Sequence, residues 1–242
     1  MRQQLLILIS ITVLFVLGLA SFALRINLRE IPPTPKVIVT IPEGSTVSEI
    51  NRILLKSGVL KNASLPTTLE GYLFPDTYEF FLDSSEEIVE RKFRENFDSK
   101  IESLFLDGVS EEKLKEAIIT ASLIEMEVPS PEDRRIVSGI IETRLVAGIP
   151  LQIDASICYV KGDPCLPITD SDKKIDSLYN THLYRGLPPG PIGNPGLDAI
   201  DASINPRESP YLYYISDPET GGTIFAASLD EHNSNVVKYL GR

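Results

Sequence analysis

Hydrophobic residues fall along this chain in three different rhythms, and each predicts a different kind of element. Leu5 to Leu24 carries no charge and lies between Arg2 and Arg25. Its length matches the roughly 20 residues that cross a bilayer, so it is expected to be a transmembrane anchor over 1–25. A signal peptide cut near Ser21-Phe22-Ala23 is the alternative. Residues 26–36 contain EIPPTPK, a stiff Pro-rich linker. From 37 to 66 the rhythm shortens: Val37–Ile41 alternates as a strand, Pro42–Ser45 turns, and Thr46 caps a helix through Val47, Ile50, Ile53 and Leu54 that ends near Gly58. Val59-Leu60 is expected to return as a short strand, giving a β-α-β module of LysM-like size, either a spacer or a carbohydrate binder.

From 67 onward the pattern is mixed. Leu69–Phe81 sets aromatics around turn residues and reads as a strand or ordered loop. Ser84 and Ser85 cap a helix from Glu86 to about Asp98, with Ile88, Phe93 and Phe97 inward. Ser110 opens a helix to Glu127, and Ser130-Pro131 opens another that Gly148 stops, forming an antiparallel pair. Pro150–Ile157 is expected to be extended, placing Gln152 and Asp154 on one side. The Pro/Gly-rich stretch 178–196 predicts a fixed loop, after which Asn194 caps a short helix with Pro195 in its first turn. Tyr211–Ser216 and Thr223–Ala226 predict a hairpin, and Ser228–Glu231 caps a last helix. The fold class is therefore α+β: a transmembrane helix, a small LysM-like β-α-β subdomain, and a mixed α+β catalytic domain over 67–242.

The helix 110–127 carries the first chemical signal. Leu114, Ala117, Ile118 and Ala121 share one stripe, and Glu125 falls in the middle of it while Glu127 points elsewhere. Burial disfavours a carboxylate and raises its pKa toward the range of a general acid. The alternative is a buried Glu satisfied by a backbone N–H or by an Arg, for which Arg135 and Arg144 are the expected partners.

Composition narrows the function. The chain has 242 residues, 43% hydrophobic and 24% charged, with a formal net charge of −11. An acidic chain without a basic stripe excludes nucleic acid as partner. Cys158 and Cys165 are too few for a metal site and suit a small disulfide in an exported protein. No cofactor or metal is expected, since no nucleophile elbow, phosphate loop, dinucleotide fingerprint or H-E-x-x-H motif occurs. What fits is an acid beside Asn, Gln, Tyr and Asp on rigid loops, the equipment for cleaving a glycosidic bond.

The motifs LEGYLFPDTY (69–78), ASLIEME (121–127), PLQID (150–154), YNT (179–181), GLPPGPI (186–192), NPG (194–196) and HN (232–233) occur in one order. In that order they resemble the YceG-like endolytic murein transglycosylases. The resemblance implies a single-pass protein of the cell (inner) membrane with an extracytoplasmic catalytic domain. It implies cutting of peptidoglycan glycan strands between N-acetylmuramic acid and N-acetylglucosamine, leaving a 1,6-anhydro end, in cooperation with cell-wall synthases. The family's catalytic Glu maps onto Glu125. Gln152, Asp154, Tyr179, Asn180 and Thr181 become candidate sugar contacts, and Pro188, Pro189, Gly190 and Asn194 candidate groove walls. Two positions depart from the family: Met126 stands where a basic residue is usual, and Ala155 follows Asp154 in place of Pro. A muramidase using water, with Asp154 as second carboxylate, and a non-catalytic glycan-binding scaffold are the alternative functions.

Overall fold

The computed structural model describes residues 12–19, 35–104, 110–162, 165 and 167–241, in two units that divide at Pro35/Lys36. In the first unit, residues 12–19 are helical and exposed. The rest of the expected anchor, and most of the Pro-rich linker, lie outside the described residues. Among the described residues no helix is long and apolar enough to cross a membrane.

The second unit begins with β1 (Lys36–Thr40) and helix α1 (Val47–Lys56), whose Thr46/Glu49 pair forms the capping box that the sequence leads one to expect. The strand expected at Val59-Leu60 is absent. These residues are 0% and 1% exposed, and their N–H groups bond to Leu54 O after the left-handed turn at Gly58, so they plug the core and do not pair with β1. The partner of β1 is β2 (Thr77–Phe81), antiparallel, with Lys36 opposite Phe81 and Thr40 opposite Thr77. Tyr78 and Phe80 point inward from β2 and meet Val39, Ile50, Leu54, Val89 and Phe93, so one apolar cluster runs across residue 66. Helix α2 (Glu86–Leu104) presents Val89, Phe93, Phe97 and Ile101 to the core, while Ile88 is 44% exposed and not inward.

Helix α3 (Glu111–Glu127) starts at Ser110, whose hydroxyl accepts the Lys113 N–H. Its second half is buried well beyond one stripe, from Ile118 and Ile119 through Ala121 to Ile124, because neighbours cover it from several sides. Helix α4 (Pro131–Val146) packs beside it after the Ser130 cap. Residues 150–157 are not a strand: Asp154–Lys161 form helix α5, with Gln152 in the left-handed region at φ 56° just before it. Cys158 and Cys165 join in a disulfide at the far end of α5. Helix α6 (Leu197–Ile204) is capped at Gly196 rather than Asn194 and packs on α3 and α4. The hairpin β3 (Tyr213–Ser216) and β4 (Thr223–Ala226) forms as expected, followed by α7 (Leu229–Asn235) and a π turn at Val236–Leu240.

Two devices lock the Pro/Gly loop to the start of the unit. Backbone bonds run from Gly44 N to Asn194 O and from Asn194 N to Ser45 O, an approach so close that a Cβ on Gly193 would stand 2.5 Å from Gly44 O. The Asn194 side chain, fully buried, accepts from Leu73 N and donates to Ser45 O and to Glu70.

Candidate active site

Helix α3 carries two carboxylates near its end, and the surroundings treat them oppositely. Glu125 lies against α4 and the start of α6. One oxygen accepts from Arg134 Nη2 at 2.6 Å, the other from Gly196 N at 2.9 Å, and the two side chains are 6% and 8% exposed. Arg134 is fixed in turn by Val128 O. Burial raises the Glu125 pKa, as the helical phase predicts, and Glu43 adds to the rise while Gly196 N–H and Arg134 oppose it. Both oxygens are nevertheless occupied. The buried Glu satisfied by an Arg and a backbone N–H is what the structure shows, and the partner is Arg134. Arg135 instead pairs with Asp201, and Arg144 bonds carbonyls of Leu212 and Leu151.

Glu127 sits two residues on, about 200° around the helix. It opens into a cleft of about 610 Å³ that Arg144, Gln152, Asp154, His182 and Tyr214 also line. Ala155 N, in the first turn of α5, donates to one Glu127 oxygen at 3.1 Å. The other oxygen has no hydrogen-bond partner among the described residues. Burial raises the Glu127 pKa and the Asp154 charge raises it further, against Ala155 N–H and His182. The last turn of a helix adds to this, since its negative end disfavours an anion.

The walls around this carboxyl are tied to one another. Asp154 Oδ1 meets His182 Nε2 at 2.9 Å, with the Asp side chain 52% exposed. The left-handed backbone of Gln152 turns an exposed side chain toward the cleft, a local strain of the kind that collects at functional sites. Arg144 ties Leu151 O on one wall to Leu212 O on the other, and its guanidinium lies 5.2 Å from the Tyr213 ring centre. His232 packs on the other partner of that wall, 5.2 Å from the same ring, with its pKa lowered by burial and by Arg144. Tyr214 is pushed well above the usual phenol value by burial and the nearby Glu127.

The chain's sequence matches the YceG-like family across residues 20–238. The chain belongs to the YceG-like family. It is similar to the endolytic murein transglycosylase of Streptococcus pneumoniae strain R6, with 34% identity over 194 residues, 77% of this chain and 35% of that one. The endolytic murein transglycosylase of Bacillus subtilis strain 168 shares 35% identity over 184 residues, 74% of this chain and 50% of that one. The chain thus spans about half the length of these curated relatives, or less. A crystal structure of a putative YceG-like protein from Listeria monocytogenes superposes with a TM-score of 0.72 at 29% identity, covering 81% of this chain and 75% of that one. The mixed α+β architecture is therefore that of a YceG-like protein.

Set on this family fold, the residues expected to touch sugar separate into groups. Gln152 and Asp154 line the Glu127 cleft. Asn180 and Thr181 do not reach it: they are 0% and 2% exposed, Asn180 bonding Lys173 O and Ile175 O while Thr181 accepts from Ile153 N. They shape the loop that carries His182. Asn194 is a buried strut and not a groove wall. Tyr179 packs on Tyr159, with ring centres 5.0 Å apart, and its hydroxyl lies beside Gly190; Pro188 is buried and Pro189 exposed. Glu127, Arg144, His182, Tyr214 and His232 also line the cleft, and the sequence pattern assigned none of them a sugar contact. The signal for Glu127 was its place in the last turn of a helix, where a carboxylate is electrostatically unfavourable.

Proposed function

We propose that this YceG-like protein is an endolytic peptidoglycan lytic transglycosylase, and that Glu127, in place of Glu125, is its acid. The observation that carries the reading is the Glu127 carboxyl, its pKa raised mainly by burial, lining a cleft that Gln152, Asp154 and Tyr214 share. In this mechanism Glu127 gives its proton to the glycosidic oxygen as the bond to C1 of N-acetylmuramic acid breaks. The carboxylate so formed takes the proton of that sugar's 6-hydroxyl, whose oxygen closes on C1. The leaving N-acetylglucosamine departs with a free 4-hydroxyl, Glu127 is reprotonated, and no water is consumed. One carboxyl suffices because the nucleophile is already held within the substrate.

Endolytic murein transglycosylases are what the curated relatives are named, and their match to most of this chain supports the reading. The muramidase alternative has one observation in its favour, since Asp154 shares the cleft and is a second carboxylate. Product mass separates the two: the reading predicts anhydro-muropeptides from purified sacculi, whereas hydrolysis yields ends one water heavier. The Leu5–Leu24 run supports an anchor in the cell membrane with residues 37–242 outside the cytoplasm. The β1–α1 segment supports a small LysM-like module, and strand termination beside cell-wall synthases is the role these parts fit.

A further inference from the structure

A second cavity, of about 570 Å³, lies between the exposed face of α1 and helix α5, and the mechanism makes no use of it. Met126 and Ala155 line this cavity, whereas Glu127 and Asp154 line the cleft. The seam where the end of α3 touches the start of α5, closed by the Ala155 N to Glu127 bond, is therefore a wall common to both. Ser48 and Arg52, one turn apart on α1, form the far side, with Thr67 at the rim and Tyr159 and Glu70 at the floor.

The chemistry of this groove is selective. Tyr159 and Met126 offer an aromatic ring and a soft apolar contact suited to the faces and acetamido methyl of an amino sugar. Arg52 is exposed and has no carboxylate partner among the described residues; the neighbouring Glu49 is engaged by Thr46 N and Oγ1 in the capping box. Glu70, floor to the groove, accepts from Val47 N and Asn194 Nδ2 and sits with its pKa raised to about 7, mainly by burial, so it adds little negative charge below neutrality. An unpaired guanidinium beside an aromatic floor fits an amino-sugar polymer bearing carboxylates.

We propose that this groove is a second glycan-binding subsite, in which sugars beyond the scissile bond cross the α3/α5 seam and a peptide-stem carboxylate pairs with Arg52. The proposal rests on the transglycosylase reading for its ligand. It accounts for action within a strand rather than at its end: contacts on both sides of the seam hold an internal linkage over Glu127.

The test uses the full chain carrying Glu127→Gln, titrated calorimetrically with a stem-bearing tetrasaccharide and with stem-bearing strands several times longer. Adding Arg52→Glu or Ser48→Trp is expected to weaken long-strand binding about tenfold, and to weaken tetrasaccharide binding several times less. Amidating the peptide-stem carboxylates should abolish the Arg52→Glu effect and keep the Ser48→Trp effect. Equal losses for both lengths, or no loss for long strands, would overturn the subsite. Failure of the function reading looks different: a wild-type protein that binds long strands through this groove yet cuts none would sink the enzyme and leave the subsite standing.

Discussion

Glu125 and Glu127 are separated by one residue and share a helix, a sequence motif and a raised pKa. What differs is what faces them. Glu125 has spent both oxygens on Arg134 and Gly196 N, and so fastens α3 to α4 and to the start of α6. Glu127 receives one backbone N–H, from Ala155, and lines a cleft with other polar groups. Burial is the main cause of both shifts, so a raised pKa locates neither structure nor chemistry until the surroundings of each carboxyl are accounted for.

The largest effect that sharpens this contrast is on rate. Glu127→Gln should lower release of anhydro-muropeptides by about 10³-fold, within the range general acids contribute, with the thermal midpoint close to wild type. The opposite pattern belongs to the other pair. Arg134→Met leaves Glu125 buried and unpaired and should cost about 3–5 kcal/mol of stability in chemical denaturation. Wild-type stability in that variant would mean the ion pair fastens nothing.

Next in size is a pH effect on stability at Glu70. Its pKa stands at about 7 in the folded protein against the ordinary 4.5. A raised value means its stabilising contribution is complete below 4.5 and lost as pH rises toward 7. Glu70→Gln should remove that slope, of about 3 kcal/mol, as urea midpoints across that pH window will show. Smallest is a shift in the pH profile of activity. In the proposed mechanism the acid form of Glu127 is the active one, so activity should fall as pH rises through its raised pKa. Asp154→Asn removes a charge that raises that pKa and should move the alkaline limb to lower pH, whereas His182→Asn should move it higher. An unmoved limb in both variants would place the titrating acid elsewhere.

Local signals made much of this fold legible. The Thr46/Glu49 box, the Ser110 and Ser130 caps and the β3–β4 hairpin each depend on residues close in sequence, and each stands where the pattern puts it. What the pattern missed was decided at long range. The pairing of β1 with β2 spans some forty residues and displaced the local guess at Val59-Leu60. Helix α5 has no side-chain cap of its own and starts where Glu127 receives Ala155 N. Asn194 reads as a helix cap in sequence and is a buried tie to Leu73, Ser45 and Glu70 in the fold. Helical phase likewise found that Glu125 faces the core and had no means of seeing that a cleft, rather than solvent, stands on the other side of α3.

The most direct measurement compares Glu125→Gln with Glu127→Gln, both verified as folded, by mass spectrometry of muropeptides released from purified sacculi. The account predicts anhydro products from Glu125→Gln and none above background from Glu127→Gln. Anhydro products from Glu127→Gln together with silence from Glu125→Gln would contradict it.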